Sequence, residues 1–423
     1  MSRAVPPPRP QVRENTQNRP NGRAIQDSHA VGDRQTVCAP QSAHAGSASL
    51  SGRALSMASL ANPGETLDLR VAVLPNLAAV TVAELADLGW VAQPVAGAVM
   101  ARGKVGDLAK LCARLRTAEQ VLVLLPAVRI NQAGDVEKLI VNLCKAGWLR
   151  PGEQPRVVVH ATSHTTAKAA WLQGLVPRTP LVDGAVVPVV HLTVAAQQVQ
   201  VAIDPAGFAL HQRGYRLDPG AAPLRETLAA AALRWAGFRP PMVVWDPTCG
   251  SGTLAIEALL MGRDYCGRPW ACGQVVQPRD APSDSQAPSD SQAQSDSQAL
   301  CGDLDPAAVA RTRANAERAG VAGQLQVEER ELGRWPPTAS IDFVVSNLPW
   351  GGRLGSRADA RRLVQRWAAA VARTAPGALA LAVIGEPQLA KDCGLLNSQI
   401  CATRNGGKAV WLVSGRVATR ATK

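Results

Sequence analysis

Val243–Glu257 reads Val-Val-Trp-Asp-Pro-Thr-Cys-Gly-Ser-Gly-Thr-Leu-Ala-Ile-Glu. The apolar residues Val243–Trp245 suit the end of a buried strand. Asp246 follows, then a turn carrying Gly250 and Gly252, then helix formers with Leu254, Ala258 and Met261 on one face. Glycines let the backbone approach a ligand closely, and the helix start behind them offers free N–H groups. An acid at the strand end accepts hydrogen bonds from hydroxyl or ammonium groups. Together these features place a nucleoside or amino-acid ligand at the carboxyl edge of a parallel sheet. Gly250-Ser-Gly252-Thr-Leu-Ala255 also fits a dinucleotide fingerprint, and a glycine-rich turn without a ligand fits as well. No Lys follows the second glycine, which excludes a phosphate P-loop.

Two downstream stretches decide among these readings. In Cys301-Gly302-Asp303-Leu304-Asp305-Pro306, Asp303 stands where a second strand ends, while Asp305 and Pro306 read as N-cap and first residue of a helix reaching Gly320. An acid at that strand end suits ribose hydroxyls. In Ile341–Gly351 a buried strand, Phe343–Val345, delivers Asn347, Leu348, Pro349 and Trp350 to the same edge. Methylation of an exocyclic base amine explains such residues. The amine's lone pair is delocalised into the ring, and acceptors turn it toward the methyl donor. The Asn347 side-chain oxygen and the Leu348 carbonyl supply two acceptors, and Trp350 a flat face for the base. A general base is not required if the proton leaves after transfer, so positioning carries most of the rate.

These motifs resemble the S-adenosylmethionine and catalytic motifs of class I amino-methyltransferases. Arg213-Gly-Tyr-Arg216 followed by Ala222-Pro-Leu-Arg-Glu-Thr-Leu-Ala229 is similar to the THUMP-domain RNA guanine-N2 methyltransferases, especially the bacterial large-subunit ribosomal RNA type, and Leu115-Arg-Thr-Ala118 resembles a segment of that family's RNA-binding half. The resemblance covers residues 68–415. It implies an α/β fold, a Rossmann-like class I methyltransferase sheet with a smaller N-terminal α+β region of ferredoxin-like/THUMP type. It implies S-adenosylmethionine as cofactor, held by Asp246, Thr248, Gly250, Gly252 and Thr253, with Asp303 on the ribose. Asn347, Leu348, Pro349 and Trp350 would hold the guanine. This sequence departs from the family in Leu348, where Pro is frequent, and Trp350, where Tyr or Phe is. Glu328, Glu329 and Glu331 all compete for the adenine contact. No metal is expected.

The remaining chain is read around this centre. Of 423 residues, 45 are Lys or Arg and 33 Asp or Glu, a net +12 that favours a polyanionic partner. Nine scattered cysteines without a C-x-x-C pair argue against a disulfide framework or zinc ribbon. No apolar run is long enough for a membrane span. Residues 1–65, with seven arginines, Pro6–Pro8 and little apolar periodicity, read as a disordered tail or a transit peptide. Residues 66–205 read as the RNA-binding region. Strands are expected at Leu69–Leu74, Val121–Leu125, Val157–His160 and Val199–Ile203, and helices at Val80–Leu88, Lys104–Leu115 and Asp135–Ala146. Lys104, Lys110, Arg114 and Arg116 suit RNA phosphates or a solvated helix face. Residues 206–420 read as the methyltransferase region, interrupted at 278–299 by a six-residue low-complexity repeat that builds no core. Arg353, Arg357, Arg361 and Arg362 follow the catalytic motif, on a helix whose apolar face is Leu363, Trp367 and Val371. They fit an RNA backbone or a solvent-facing basic helix. The last strands are expected at Ala378–Ile384 and Ala409–Val413.

The function expected is methyl transfer to guanine N2 in structured RNA, ribosomal rather than transfer RNA, by a monomer without membrane contact. The expected location is cytoplasmic, with organelle import an option left by the tail. The competing readings are an amino-methyltransferase acting on DNA or protein glutamine, a non-catalytic RNA-binding protein, and a nicotinamide oxidoreductase.

Overall fold

The computed structural model describes residues 59–149, 155–161, 165–175, 187–195, 198–218, 220, 223–263, 297–335, 341–348 and 356–419. Most of the tail, the segment Tyr265–Val276, nearly all of the repeat insertion, and Pro349, Trp350 and Arg353 lie outside them.

Two seven-stranded sheets organise the chain. The first contains β1 (Thr66–Val73), β2 (Val91–Val95), β3 (Ala98–Lys104), β4 (Ala118–Val128), β5 (Arg156–Ala161), β6 (Val189–Val194) and β7 (Val199–Asp204), in the order β2-β3-β1-β4-β7-β6-β5. Only β5 and β6 pair in parallel. On β1 and β4, Leu67, Leu69, Val71, Val121, Val123 and Leu125 alternate onto one buried face. That face belongs to a core shared with α1 (Ala78–Asp87), α2 (Leu108–Arg114), α3 (Ala133–Lys145) and α4 (Thr166–Leu175). The helix expected at Lys104–Leu115 starts later than its spacing implies. β3 runs on to Lys104 and a 3-10 turn covers Val105–Asp107. Val105 and Gly106 donate their backbone N–H groups to the Glu65 and Pro63 carbonyls, which holds the chain against the segment before β1.

The second sheet contains β8 (Val244–Asp246), β9 (Ala299–Asp303), β10 (Leu325–Glu329), β11 (Phe343–Asn347), β12 (Leu379–Ile384), β13 (Leu395–Asn405) and β14 (Lys408–Val417), in the order β10-β9-β8-β11-β12-β14-β13. β10 through β12 run parallel, and β14 and β13 close the edge antiparallel. The parallel strands are short apolar runs because both their faces are covered. Val244, Phe343 and Val345 share a core with α5 (Glu226–Trp235) and α6 (Thr253–Leu260), while Trp245, Val344 and Ile384 face the opposite side with α8 (Arg357–Thr374). The eighteen-residue α8 begins with a capping box in which Ser356 and Asp359 satisfy each other's backbone N–H groups. α7 (Pro306–Arg318) opens on Asp305, whose side chain accepts from the Ala307 N–H, as the Asp-Pro pair implies. Strand order reverses between β8 and β11, so the chain leaves β8 toward β9 on one side and reaches β11 on the other. That switch point opens a crevice beyond the carboxyl ends of the strands, where ligands bind in open α/β sheets.

Trp235 is only half buried at the rim of its core. The apolar stripe of α8 is also rotated from the expected one: Val364, Trp367 and Val371 are buried, while Leu363 turns toward the crevice. Among the described residues no helix is long and apolar enough to cross a membrane.

Candidate active site

Three strand ends meet in the crevice. Asp246 ends β8, Asp303 ends β9 and Asn347 ends β11, and all three line one cavity of about 320 Å³. Its size lies within the range of small-molecule sites, roughly 300–1,000 Å³. Thr248, Gly250 and Thr253 line it as well, with Cys249, Ser251 and Leu254 between and behind them.

The turn above β8 is held from several sides. The Gly250 N–H donates to Asp303 Oδ2 at 2.9 Å, while the Asp305 N–H donates to the other oxygen at 3.0 Å. Asp303 thus shapes the turn, and each of its oxygens keeps a further lone pair for a ligand hydroxyl. On α7, Thr312 Oγ1 donates to the Gly250 carbonyl at 3.0 Å, and Asn315 Nδ2 donates to the Ser251 carbonyl at 2.9 Å. Gly250 and Gly252 have φ of 59° and 77°, a region other residues adopt only under strain. A Cβ on Gly252 would lie 2.7 Å from Thr312 Cγ2. Gly252→Ala is therefore expected to destabilise the fold by about 1–3 kcal/mol. A urea unfolding curve displaced by less than about 0.5 kcal/mol would contradict this account of the turn.

Asp246 is 2% exposed, and its Oδ1 accepts the Thr248 N–H at 3.2 Å. Burial pushes its carboxyl up to about 8, opposed by that hydrogen bond and helped slightly by the nearby Asp303 charge. An acid that is buried in a cavity wall and reluctant to ionise is suited to a cationic ligand group, whose charge restores its carboxylate form. Thr248 Oγ1 is also buried and lacks a hydrogen-bond partner among the described residues. An orphaned hydroxyl beside a buried carboxyl, both in a cavity wall, fits the ammonium and carboxylate of an amino-acid ligand, and Asp303 fits a ribose. The donor set therefore suits S-adenosylmethionine.

Asn347 is set by the β11–β12 register opposite Val383. The Leu348 N–H continues that ladder by donating to the Val383 carbonyl at 3.0 Å, and the Leu348 side chain is fully buried. Behind them Ser346 Oγ accepts from Trp367 Nε1 at 2.8 Å, which braces the strand end against α8. Of the three competing glutamates, Glu328 is engaged by Arg330 and Glu331 by Arg334 and Arg366. Glu329 pairs in register with Asp303 at the adjoining strand end, and among the described residues its carboxylate makes no ion pair.

Several cavity residues escaped sequence reasoning. Gly220, Leu224, Asp305, Ala308, Arg311 and Leu363 come from three separated segments. Leu224 lies inside Ala222–Ala229, Asp305 is marked only as a helix N-cap and Leu363 only as part of an apolar helix face; nothing local marks Arg311 or Ala308.

The basic residues divide. Arg357, Arg361, Arg362 and Arg366 are exposed, each paired with one acid: Glu386, Asp392, Asp359 and Glu331. Arg116 is not on the surface with Lys104 and Lys110. It is 2% exposed and reaches Glu257 on α6. Arg213 and Tyr215 converge on the same carboxylate, and Arg216 pairs with Glu226. The six described cysteines (Cys112, Cys144, Cys249, Cys301, Cys393 and Cys401) are free thiols.

With this geometry in view, comparison with known proteins gives consistent matches. Residues 213–408 match the family model "RMKL-like, methyltransferase domain", and residues 68–122 match the RlmL ferredoxin-like domain. Ribosomal RNA large subunit methyltransferase K/L of Pseudomonas paraeruginosa is 33% identical over 249 residues, covering 55% of this chain and 34% of that protein. The same-named protein of Dichelobacter nodosus is 30% identical over 319 residues, covering 68% of this chain and 43% of its own length. The chain thus spans about a third of the first curated relatives it matches. Among solved structures, SMU.472, described as a methyltransferase and complexed with SAH, superposes with a TM-score of 0.65 at 20% identity, covering 85% of this chain and 100% of that one. TrmN from Thermus thermophilus superposes with a TM-score of 0.56 at 18% identity, covering 83% and 99%. Those two likenesses establish the fold, and the family models establish the kinship: this chain carries a methyltransferase domain of the RMKL-like family behind a ferredoxin-like domain of the RlmL type.

Proposed function

We propose that this protein transfers a methyl group from S-adenosylmethionine to the exocyclic N2 amine of a guanine in structured RNA, with large-subunit ribosomal RNA as the substrate class. The observation that carries the reading is the convergence of Asp246, Asp303 and Asn347 on one cavity at the switch point of the second sheet. The names of the K/L relatives support RNA over DNA or protein and favour ribosomal over transfer RNA. The bacterial relatives fit a cytoplasmic location and add nothing in favour of organelle import.

When bound, S-adenosylmethionine supplies a methyl group activated on a sulfonium. Asp246, in its ionised form, accepts the ligand's ammonium, the Thr248 hydroxyl and Gly250–Thr253 turn hold its amino-acid end, and Asp303 takes the ribose. Glu329 is the best placed of the three glutamates for the adenine side. The Asn347 side-chain oxygen and the Leu348 carbonyl accept from the guanine amine, turning its nitrogen toward the methyl group. Pro349 and Trp350 complete the proposed guanine site, with Trp350 as the stacking partner of the base, worth about 1–3 kcal/mol for an aromatic platform. The amine is far too weakly basic to be protonated, and its surplus proton leaves to water after transfer, so alignment is the main contribution.

The reading is tested by incubating the protein with labelled S-adenosylmethionine and total RNA, DNA or protein in parallel, then resolving digested nucleosides. N2-methylguanosine as the labelled product supports it; label confined to DNA or protein refutes it.

Arg353, Arg357, Arg361 and Arg362 extend the proposal to the RNA backbone. Exposed ion pairs contribute about 0–1 kcal/mol, so the arginines of α8 can exchange their carboxylates for phosphates at little cost. Replacing Arg357, Arg361 and Arg362 together by glutamine is expected to weaken RNA binding evenly across sequences. The slope of log affinity against log salt should fall by about one for each phosphate that is no longer neutralised. Filter binding across a salt series reads this out, and an unchanged slope would return α8 to a solvent-facing helix.

A further inference from the structure

Glu257 lies one turn into α6, the helix that begins at the cofactor turn, and is fully buried. Three donors from two separated segments meet its carboxylate. Arg213 Nε and the Tyr215 hydroxyl donate to Oε1 at 3.0 and 3.1 Å, and Arg116 NH1 donates to Oε2 at 3.3 Å. Arg213 also donates through NH2 to the Arg116 carbonyl at 2.7 Å, so the two arginines grip each other as well as the acid.

The aim of Arg116 is preset on the side of the first sheet. Glu84 of α1 is nearly fully buried and accepts the backbone N–H groups of Arg116 and Thr117, the latter at 2.9 Å, while Thr117 Oγ1 donates to Thr81 at 2.9 Å. The chain at Arg116 is thereby fastened to α1, and its side chain extends to α6. A second path reaches the turn itself. The Tyr215 carbonyl accepts from Arg318 Nε at 2.6 Å, Arg318 reaches Asn315 Oδ1, and Asn315 donates to the Ser251 carbonyl at 2.9 Å. One residue, Tyr215, thus touches α6 through its hydroxyl and is linked to the cofactor turn from its carbonyl by way of Arg318 and Asn315.

Apolar side chains of similar volume would join the layers without the desolvation cost of buried ions, so what the ions add is direction. A planar guanidinium fixes the azimuth of the carboxylate it meets, and hence the rotation of a short helix about its axis. We infer that Arg116 is a positioning residue for the cofactor turn: through Glu257 it holds α6, and with it the N–H groups and side chains of Gly250–Thr253, in the orientation that binds S-adenosylmethionine. The inference rests on the reading of the cavity as the cofactor site.

The test is calorimetric titration of SAH into the wild-type chain and its Arg116→Met and Arg116→Lys variants, well below each melting temperature. Arg116→Met is expected to weaken SAH about tenfold, and Arg116→Lys, which keeps the charge but not the planar fork, about threefold. A merely structural role lowers the melting temperature but leaves the affinity of the folded chain unchanged, and that result overturns the inference. Should Arg116→Met fail to fold, Arg116→Lys carries the test, with SAH expected to weaken about threefold and an unchanged affinity refuting it. Wild-type chain that does not bind SAH would refute the reading of the cavity itself. The grip on the turn is then decided by hydrogen exchange. Faster exchange in Cys249–Glu257 of an Arg116 variant than in its β12 supports the grip, and equal change in both refutes it.

Discussion

Replacing Asn347 by alanine is expected to lower methyl transfer by about 10²–10³-fold, the cost typical of deleting one preorganised polar group at a reacting centre. The effect should fall on the single-turnover rate and far less on cofactor affinity. The variant removes an acceptor aimed at the base amine but leaves Asp246, Thr248, Asp303 and the glycine turn in place. The backbone is expected to hold as well: Phe343–Asn347 is paired along its length with β12, Phe343 and Val344 also pair with β8, and the Leu348 N–H stays bonded to Val383. Rapid-quench measurement with saturating cofactor separates the two quantities. An Asn347→Ala chain that transfers at the wild-type rate, or that loses cofactor binding in equal measure, would remove this residue from the chemistry.

The second large effect concerns pH. Burial holds the Asp246 carboxyl at about 8 in the ligand-free protein, so at neutral pH it is largely protonated. A carboxylic acid is a poor partner for an ammonium, and binding the cofactor's amino-acid end requires the proton to leave. SAH affinity should therefore rise with pH by up to about tenfold per unit between about 6 and 8, then level off. About one proton should be released per ligand bound near pH 7, measurable by calorimetry in buffers of different ionisation enthalpy. Asp246→Asn should abolish this dependence and cost about 1.5–3 kcal/mol at the alkaline end, roughly 10- to 150-fold in affinity. The same shift has a consequence for folding, and its sign is opposite. The native chain holds a proton that the unfolded chain releases near 3.8, so this group's contribution to stability of the ligand-free fold is full below that value. It is lost as pH rises through about 8. A pH-independent SAH affinity in the wild-type chain would show that Asp246 does not meet the ammonium.

The elements that sequence reasoning found are those whose pattern is local. Asp246 followed by two glycines and Asp305-Pro306 at a helix start each satisfy their own backbone groups within a few residues, so the structure forms where the pattern stands. The elements it missed lack such a pattern. β13 runs Leu395–Asn405 as an edge strand, mostly exposed and alternating only over Cys401–Asn405, and is held by its ladder to β14. The late start of α2 is likewise due to hydrogen bonds from Val105 and Gly106 to Glu65 and Pro63.

The same division runs through the site. The chain's order of residues alone determined that acids and an asparagine end three apolar strands, because strand ends and turns are short-range events written in adjacent side chains. Tertiary structure decided which of them share a cavity, that Leu363 and Arg311 join it, and that Glu329 stands beside Asp303 at the adjoining strand end. It also decided the fate of Arg116, which beside Lys104 and Lys110 reads as one more surface cation. Only when the first sheet and α6 are packed together does it meet Glu257, 141 residues away. Charge and spacing say what a side chain can pair with. Which partner it finds depends on the packing of apolar faces far apart in the chain, and no local pattern records that.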